Sequence, residues 1–325
     1  MDRDRPTVLV TGASGFVGSA LCRTLAAQGG GNVRAALREA GARLPAGVQL
    51  AFGCELAAST DWAAALRDVQ VVVHAAARVH VMKETAADSL AEFRRVNVEG
   101  TLSLARQAAA AGVRRFIFIS SIKVNGEASH PGRPLNADDL PAPQDAYGVS
   151  KYEAEQALHQ LAADTGMELV VIRPVLVYGP GVKANFLSMM RWVQRGVPLP
   201  FAAVDNRRSL VFLDNLVDLV VTCIDHPQAA NQTFVASDGE DVSLNQLLCA
   251  LGRALDRPAR LLAVPPGLLL FAARLAGRRD LAERLLGSLQ VDIFKNQRVL
   301  GWRPPHTLQQ GLHVTARSFL ENRRP

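Results

Sequence analysis

The sequence predicts a doubly wound α/β protein: a parallel sheet with helices on both faces, followed by a smaller C-terminal lobe. Three observations predict it. Short, β-branched apolar runs recur through the first 236 residues with helical patterns between them, as in βα units whose strands are buried on both faces. Gly12, Gly15 and Gly18 separate the first such run from the first helix. Past Ser243 the pattern becomes mostly helical. On this reading residues 1–180, completed by about 209–236, make the first domain, and 181–208 with 237–325 make the lobe.

The first strand is the run Val8, Leu9, Val10, and Val17, Leu21 and Leu25 recur at helical spacing after it. The glycine spacing between them carries a specific chemistry. The first permits a tight turn, the second lets backbone approach a pyrophosphate, and the third lets helix and strand pack closely. Phosphates then face a helix N-terminus, whose unpaired N–H groups and positive dipole end stabilise negative charge without Lys or Arg. The plain alternative is an ordinary glycine-rich βα turn. Gly29 to Gly31 close the next turn, and Val33, Ala35 and Leu37 continue as a second strand ending at Arg38. In a dinucleotide fold an acid at that place holds the ribose 2′-hydroxyl, whereas Arg suits a 2′-phosphate. Arg38, with Arg34 close by, therefore points to NADP(H); NAD(H) is the alternative if both are solvated charges.

Residues 48–51 read as a third strand, with Glu55 just beyond it as an adenine-side contact, and 61–67 as a short helix. Residues 69–73 form a fourth strand leading into His74, Ala75, Ala76 and Ala77, where small side chains leave room for a ligand beyond the strand end. His74 reads as a packed, hydrogen-bonded histidine, with a catalytic base as the alternative. Residues 89–111 have helical periodicity and contain Asn97, and 115–119 give a fifth strand ending at the polar pair Ser120 and Ser121.

A Pro-, Gly- and Asp-rich loop over 123–146 then delivers Tyr147, which opens a helix with Lys151. At i and i+4 the two share one helix face, so the ammonium can sit beside the phenol. An adjacent cation favours phenolate and lowers a tyrosine pKa from about 10, which makes Tyr147 a credible acid/base. Residues 168–173 form a sixth strand ending at Arg173, the stretch to Gly181 is turn-rich, and Asn185 opens another helix. Arg207, Arg208 and Ser209 precede the apolar run 210–213; Asp214 or Asn215 caps a helix reaching Asp225, and 232–236 is one more strand. The very apolar stretch 261–271 is about a dozen residues long, which suits core or a subunit contact better than a membrane element.

With 325 residues, 49% of them hydrophobic, the chain can bury a sizeable core. The charged N-terminus lacks the apolar segment of a signal peptide, and no window approaches the roughly 18 apolar residues of a membrane span, so a cytoplasmic location is expected. Cys22, Cys54, Cys223 and Cys249 are far apart without Cys-x-x-Cys spacing, which points to reduced thiols and to neither disulfides nor zinc. The net charge of +6 is spread along the chain without a basic block interleaved with aromatics, so a small anionic substrate fits better than nucleic acid.

With the glycine turn, Ser121, Tyr147 and Lys151 in order, the chain resembles the extended short-chain dehydrogenase/reductase family, in its nucleotide-sugar epimerase/dehydratase branch. The resemblance runs nearly end to end: TGASGFVG, HAAA, NVEGT, YGVSK and the terminal LGW match that branch's motifs. It implies a Rossmann-like fold and a homodimer. It also implies a catalytic set of Ser121, Tyr147 and Lys151. The cofactor would be held by Gly12, Ser14, Gly15, Phe16, Val17, Gly18, Arg34, Arg38, Glu55, Leu56, Ala75, Ala76, Ala77, Asn97, Ser120, Tyr147, Lys151 and Arg173. Substrate would be held by Ser121, Lys123, Asn185 and Arg208, the last two at a nucleotide diphosphate. SSIKVNGE, GPGVKANF and NRRSLVFLDN resemble bacterial reductases of UDP-4-keto-6-deoxy-N-acetylhexosamines in surface-polysaccharide synthesis. Epimerases of the branch carry a small residue and Thr where this chain has Ile122 and Lys123, and many carry an acid at the place of Arg38. A 4-keto reductase is therefore expected ahead of a 4-epimerase with retained NAD, and both ahead of a non-catalytic nucleotide sensor.

Overall fold

A computed structural model describes residues 6–28, 32–42, 44–79, 89–277 and 279–322. The turn expected at Gly29 to Gly31 lies outside the described residues. The strands are β1 (Val8–Thr11), β2 (Val33–Ala36), β3 (Gln49–Ala51), β4 (Val71–His74), β5 (Arg115–Ile119), β6 (Glu168–Pro174), β7 (Leu176–Tyr178), β8 (Arg208–Phe212), β9 (Gln232–Ala236) and β10 (Asp241–Val242). Seven of them form one parallel sheet in the order β3-β2-β1-β4-β5-β6-β9. The order reverses between β1 and β4, so the chain leaves their C-terminal ends in opposite directions. That opens the crevice in which such sheets bind ligands.

The helices are α1 (Phe16–Ala27), α2 (Ala63–Leu66), α3 (Ser89–Arg94), α4 (Thr101–Ala110), α5 (Ala146–Thr165), α6 (Ala184–Gln194), α7 (Leu213–Asp225), α8 (Leu244–Ala254), α9 (Pro266–Leu275), α10 (Arg279–Leu286), α11 (Phe294–Leu300) and α12 (Leu308–Glu321). Alternate strand residues face opposite layers. Val8, Val10, Ile117 and Ile172 pack on Leu21 of α1 and Leu216 and Val220 of α7. Leu9, Val72, Phe116 and Phe118 pack on Leu104 of α4 and Leu158 of α5. A third core gathers Phe186, Met190, Phe212, Leu248, Leu251 and Leu312 beneath the lobe. Each such side chain contributes about 1.5–3 kcal/mol on burial.

The structure corrects several expectations. The helix over 89–111 is interrupted: the π-helical turn Arg95–Gly100 separates α3 from α4. The turn-rich stretch before Gly181 contains β7, and the run 210–213 is mostly β8. These two pair in parallel, with β10 antiparallel on the other edge of β8, in a second small sheet. Neither Asp214 nor Asn215 caps α7. The helix starts after Phe212 with no side-chain cap, and Asn215 lies buried inside it, donating to Asp238 Oδ1 at 2.7 Å and the His306 carbonyl at 2.8 Å. The stretch 261–271 is core only in part: α9 contains no fully buried residue, while Leu261 and Leu269 are half-buried against the third core. Among the described residues no helix is long and apolar enough to cross a membrane.

Candidate active site

The glycine turn has a steric cause. Gly12 has φ +66°, and a Cβ there would lie 2.8 Å from the backbone of Ala75 and Ala76. A Cβ on Gly18 would collide with the Gly12 carbonyl. Turn, helix and the end of β4 therefore pack at backbone contact. Helix α1 begins after Gly15 with no side-chain cap and no acidic residue in its first turn, and Ser14 and Gly15 are exposed. Its N–H groups and dipole face outward for an anion. Phe16, Val17, Ala75, Ala76 and Ala77 are half-buried, with Phe16, Val17 and Ala75 packed against the sheet core.

At the end of β4, His74 Nδ1 lies 2.6 Å from Thr11 Oγ1 and its Nε2 2.9 Å from Thr101 Oγ1, while Thr11 Oγ1 also accepts from the Ala76 N–H at 3.2 Å. Burial first, and the Lys151 charge second, pull the imidazole down to about 3. His74 is thus a neutral structural bridge joining β1, β4 and α4.

At the expected ribose end the two arginines differ. Arg34 is committed to the chain itself, donating to Gln49 Oε1 at 3.0 Å, the Ala65 carbonyl at 2.9 Å and the Arg67 carbonyl at 2.6 Å. Arg38 is exposed in the bend after β2, and its guanidinium has no partner among the described residues. Glu55 is exposed nearby, and Leu56 packs on the core beneath α4.

Ser121 and Lys151 lie at the end of β5, with Tyr147 on the same helix as Lys151. Lys151 is buried, its Nζ donating to the Ile119 carbonyl at 2.8 Å and lying 4.3 Å from the centre of the Phe118 ring. Burial pushes its ammonium down to about 7 against the opposing effect of Glu155. Tyr147 stands one turn earlier on α5, its ring edge-on to Phe93 at 6.0 Å. Ser121 follows Ile119 by two residues, and its Oγ accepts from the Lys123 N–H at 3.3 Å, leaving the hydroxyl hydrogen for another acceptor. The expectation that Lys151 lowers the Tyr147 pKa does not hold within the chain: burial raises it, and Asp145 raises it further. Asp145 caps α5 by accepting from the Gly148 N–H at 2.7 Å, which fixes a carboxylate beside Tyr147.

The Lys151 shift has a testable sign. Unfolded, this lysine holds its proton to about 10.4, whereas folded it releases it near 7, so between those values the unfolded state binds more protons and stability rises with pH. Lys151→Met removes that dependence. The variant's stability advantage should be fully present below pH 7 and should fade as pH rises toward 10, by at most about 1.4 kcal/mol per pH unit. Urea midpoints for both proteins across that range check it; a constant difference would remove the shift.

Several other expected site residues are engaged with the chain. Asn97, turned inward by the π-helical turn, donates to the Arg78 carbonyl and Ser150 Oγ at 3.0 Å and accepts from the Arg78 N–H at 2.8 Å. Ser120 donates to Glu155 Oε1 at 2.5 Å. Arg173 donates from Nε to the same oxygen at 3.0 Å, pairs with Glu155 Oε2, and reaches Asn125 Oδ1 at 3.1 Å. Sequence reasoning missed Glu155, although its place four residues after Lys151 puts it on the same helix face.

On the substrate side, the Lys123 ammonium is paired with Asp145 and, at 3.2 Å, with Glu127. Asn185 is exposed in the first turn of α6. Arg208 opens β8 and donates through Nη1 to the Arg284 carbonyl at 2.5 Å and the Gly287 carbonyl at 3.1 Å. Its Nε and Nη2 have no partner among the described residues, and burial pulls its guanidinium below its usual value. An anion on that free edge would restore it. Among the described residues no cluster of His, Cys, Asp and Glu is arranged to hold a metal, and the four cysteines are free.

The glycine turn after β1 and Ser121 after β5 thus lie at the C-terminal ends of strands of one doubly wound sheet, with Tyr147 and Lys151 on α5 beside them. The chain belongs to the NAD dependent epimerase/dehydratase family, whose pattern it matches over residues 8–237. It is 50% identical over 322 residues to a UDP-glucose 4-epimerase of Vibrio cholerae, covering 98% of each chain. Among solved structures it resembles MoeE5 in complex with UDP-glucose and NAD, with a TM-score of 0.77, 27% identity, and coverage of 97% of this chain and 99% of that one. The UDP-glucose 4-epimerase of Thermotoga maritima shares the fold with a TM-score of 0.78 at 23% identity, covering 98% of this chain and all of that one.

Proposed function

We propose that the protein is a UDP-sugar 4-epimerase that retains its nicotinamide cofactor. The observation that carries this reading is the 50% identity, end to end, to a UDP-glucose 4-epimerase. The placement of Ser121 and Lys151 at one strand end, with Tyr147 on the same helix as Lys151, supports it. The Gly12–Gly18 turn and the start of α1 would hold a nicotinamide cofactor, which when bound would accept hydride from the sugar C4 and return it. For this step Tyr147 would have to enter as the phenolate, a form that the positive charge of a bound oxidised nicotinamide would favour against the burial and the Asp145 carboxylate that hold it protonated in the chain alone; it then takes the proton of the C4 hydroxyl as the carbonyl forms and gives it back after the keto sugar has turned over. Ser121 hydrogen-bonds the same oxygen, Lys151 holds positive charge behind Tyr147, and the free edge of Arg208 holds the diphosphate. The sequence-based expectation of a 4-keto reductase is less well supported by these relatives than its epimerase alternative.

Two observations keep the reductase as a second reading. Tyr147 is held protonated by burial and by Asp145, which readies it as a donor, and Arg38 stands free for a 2′-phosphate. A cytoplasmic location, a homodimer and a place in surface-polysaccharide synthesis belong to both readings.

The test is incubation of the purified protein with UDP-glucose and no added cofactor. The epimerase reading expects the 4-epimer to form and stoichiometric nucleotide to be released on denaturation. No epimer, with NADPH consumed only when a 4-keto UDP-sugar is supplied, replaces it with the reductase.

Two variants bear on binding. Arg208→Ala should raise the dissociation constant for UDP about tenfold or more, through loss of a charge-assisted contact, with cofactor affinity unchanged; equal UDP binding by calorimetry would remove Arg208 from the diphosphate. Arg38→Asp should weaken NADP binding about tenfold and leave NAD binding nearly unchanged. An unaltered ratio of the two affinities would take Arg38 out of the cofactor site.

A further inference from the structure

The lobe presents an apolar helix face that nothing in the described chain covers. On α9, Leu268, Phe271 and Leu275 are 56%, 60% and 75% exposed, and Leu262 just before the helix is 54% exposed. Spaced at i, i+3 and i+7, the three helical residues form one outward stripe. The inward side of α9 is separately satisfied, with Leu269 packed on the lobe core. The helix is thus apolar on both sides, and only one side is used for folding. Scattered single exposed leucines need no explanation, but a stripe of this kind marks an interaction surface.

The charge of the segment that carries the stripe points to its partner. From Arg253 to Arg284 the sequence carries seven Arg against Asp256, Asp280 and Glu283, a net +4 out of +6 for the whole chain. Arg253, Arg257, Arg260 and Arg274 are exposed. A second copy of the chain docked symmetrically on this face would bring two such positive surfaces together, because a two-fold interface is self-complementary. Exposed Leu and Phe beside a concentration of Arg is instead the composition of a helix lying in a lipid headgroup layer, with apolar side chains in the acyl boundary and guanidinium groups on lipid phosphates. We propose that the α9–α10 hairpin docks this protein reversibly on an anionic membrane surface.

The far end of the hairpin supplies the Arg284 carbonyl that accepts from Arg208, and Arg284 Nε lies 3.4 Å from Glu127 Oε2, beside Lys123 and the start of α5. The hairpin that carries the stripe is therefore the same one whose far end holds Arg208. At ten residues, α9 is too short to span a bilayer, so the association is peripheral.

Sedimentation of the full-length protein with vesicles tests the proposal. The protein should pellet with phosphatidylcholine vesicles containing about a third phosphatidylglycerol, stay in solution with phosphatidylcholine alone, and be released by high salt. Phe271→Ser with Leu275→Ser changes only exposed side chains and should lower the bound fraction about fivefold or more at an unchanged melting temperature. Arg274→Glu should weaken binding to the anionic vesicles in the same way. Failure of the native protein to bind anionic vesicles would overturn the proposal, and so would equal binding by the double serine variant. Conversion of a native dimer to monomer by those serines would assign the stripe to a second copy of the chain and overturn it as well. None of these readouts depends on which sugar the site transforms, so the proposal stands or falls apart from the epimerase reading.

Discussion

Tyr147→Phe is expected to lower turnover by about two to four orders of magnitude, the contribution of a positioned acid/base, while leaving the fold and the cofactor content unchanged. The structure makes this a clean substitution. The Tyr147 hydroxyl has no hydrogen-bond partner among the described residues, so its loss orphans nothing in the chain. Its ring packs edge-on to Phe93 at 6.0 Å, a contact that Phe keeps. Initial rates with a UDP-sugar, the nucleotide released on denaturation and a melting curve together check it. Near-normal rates in the variant would remove Tyr147 from the chemistry. A loss of bound nucleotide in parallel with rate would make it a binding residue instead.

The parts of this site that local sequence encodes were legible. Three glycines at fixed spacing need only their own turn and the strand beside it, and the packing of Gly12 on Ala75 and Ala76 is the physical form of that signal. Tyr147 and Lys151 share a helix face by arithmetic alone. What local reading could not supply is the destination of a long side chain. Arg34 lies on β2, yet its donors go to the Ala65 and Arg67 carbonyls, more than thirty residues on. Asn215 has the composition of a cap, but its amide is held by Asp238 and His306, distant in sequence, and it sits inside the helix. The effect of Lys151 on Tyr147 was argued from spacing, whereas burial and the Asp145 carboxylate dominate the phenol.

Secondary structure was missed for related reasons. β7 has only three residues, starts two positions after a Pro, and exists because β8, more than thirty residues later, pairs with it. The π-helical turn at Arg95–Gly100 leaves the apolar rhythm of 89–111 readable as one helix, although it turns Asn97 inward toward Ser150. In α9 the hydrophobic run was legible but its burial was not, because composition alone does not say which side of a helix meets the core.

Arg173→Leu is expected to destabilise the fold by about 3–5 kcal/mol, the cost of leaving a buried carboxylate without its partner. Arg173 and Glu155 are both nearly inaccessible, and the Glu155 carboxylate also accepts from Ser120 at 2.5 Å. Removing the guanidinium strands that carboxylate beneath the residues that carry Ser121. It also frees Asn125, whose side chain otherwise ties the turn after β5 to the Asn136 carbonyl at 2.9 Å. Replacing Glu155 by Leu in the same chain should recover most of the loss, since two well-packed apolar side chains need no desolvated charge to be matched. Urea midpoints for the two single variants and the double variant measure the coupling. The result also decides between two roles for Arg173. A cofactor ligand would lose nucleotide affinity at native stability, and the double variant would not restore it. A structural partner of Glu155 would lose stability first, and the double variant would regain both stability and bound nucleotide.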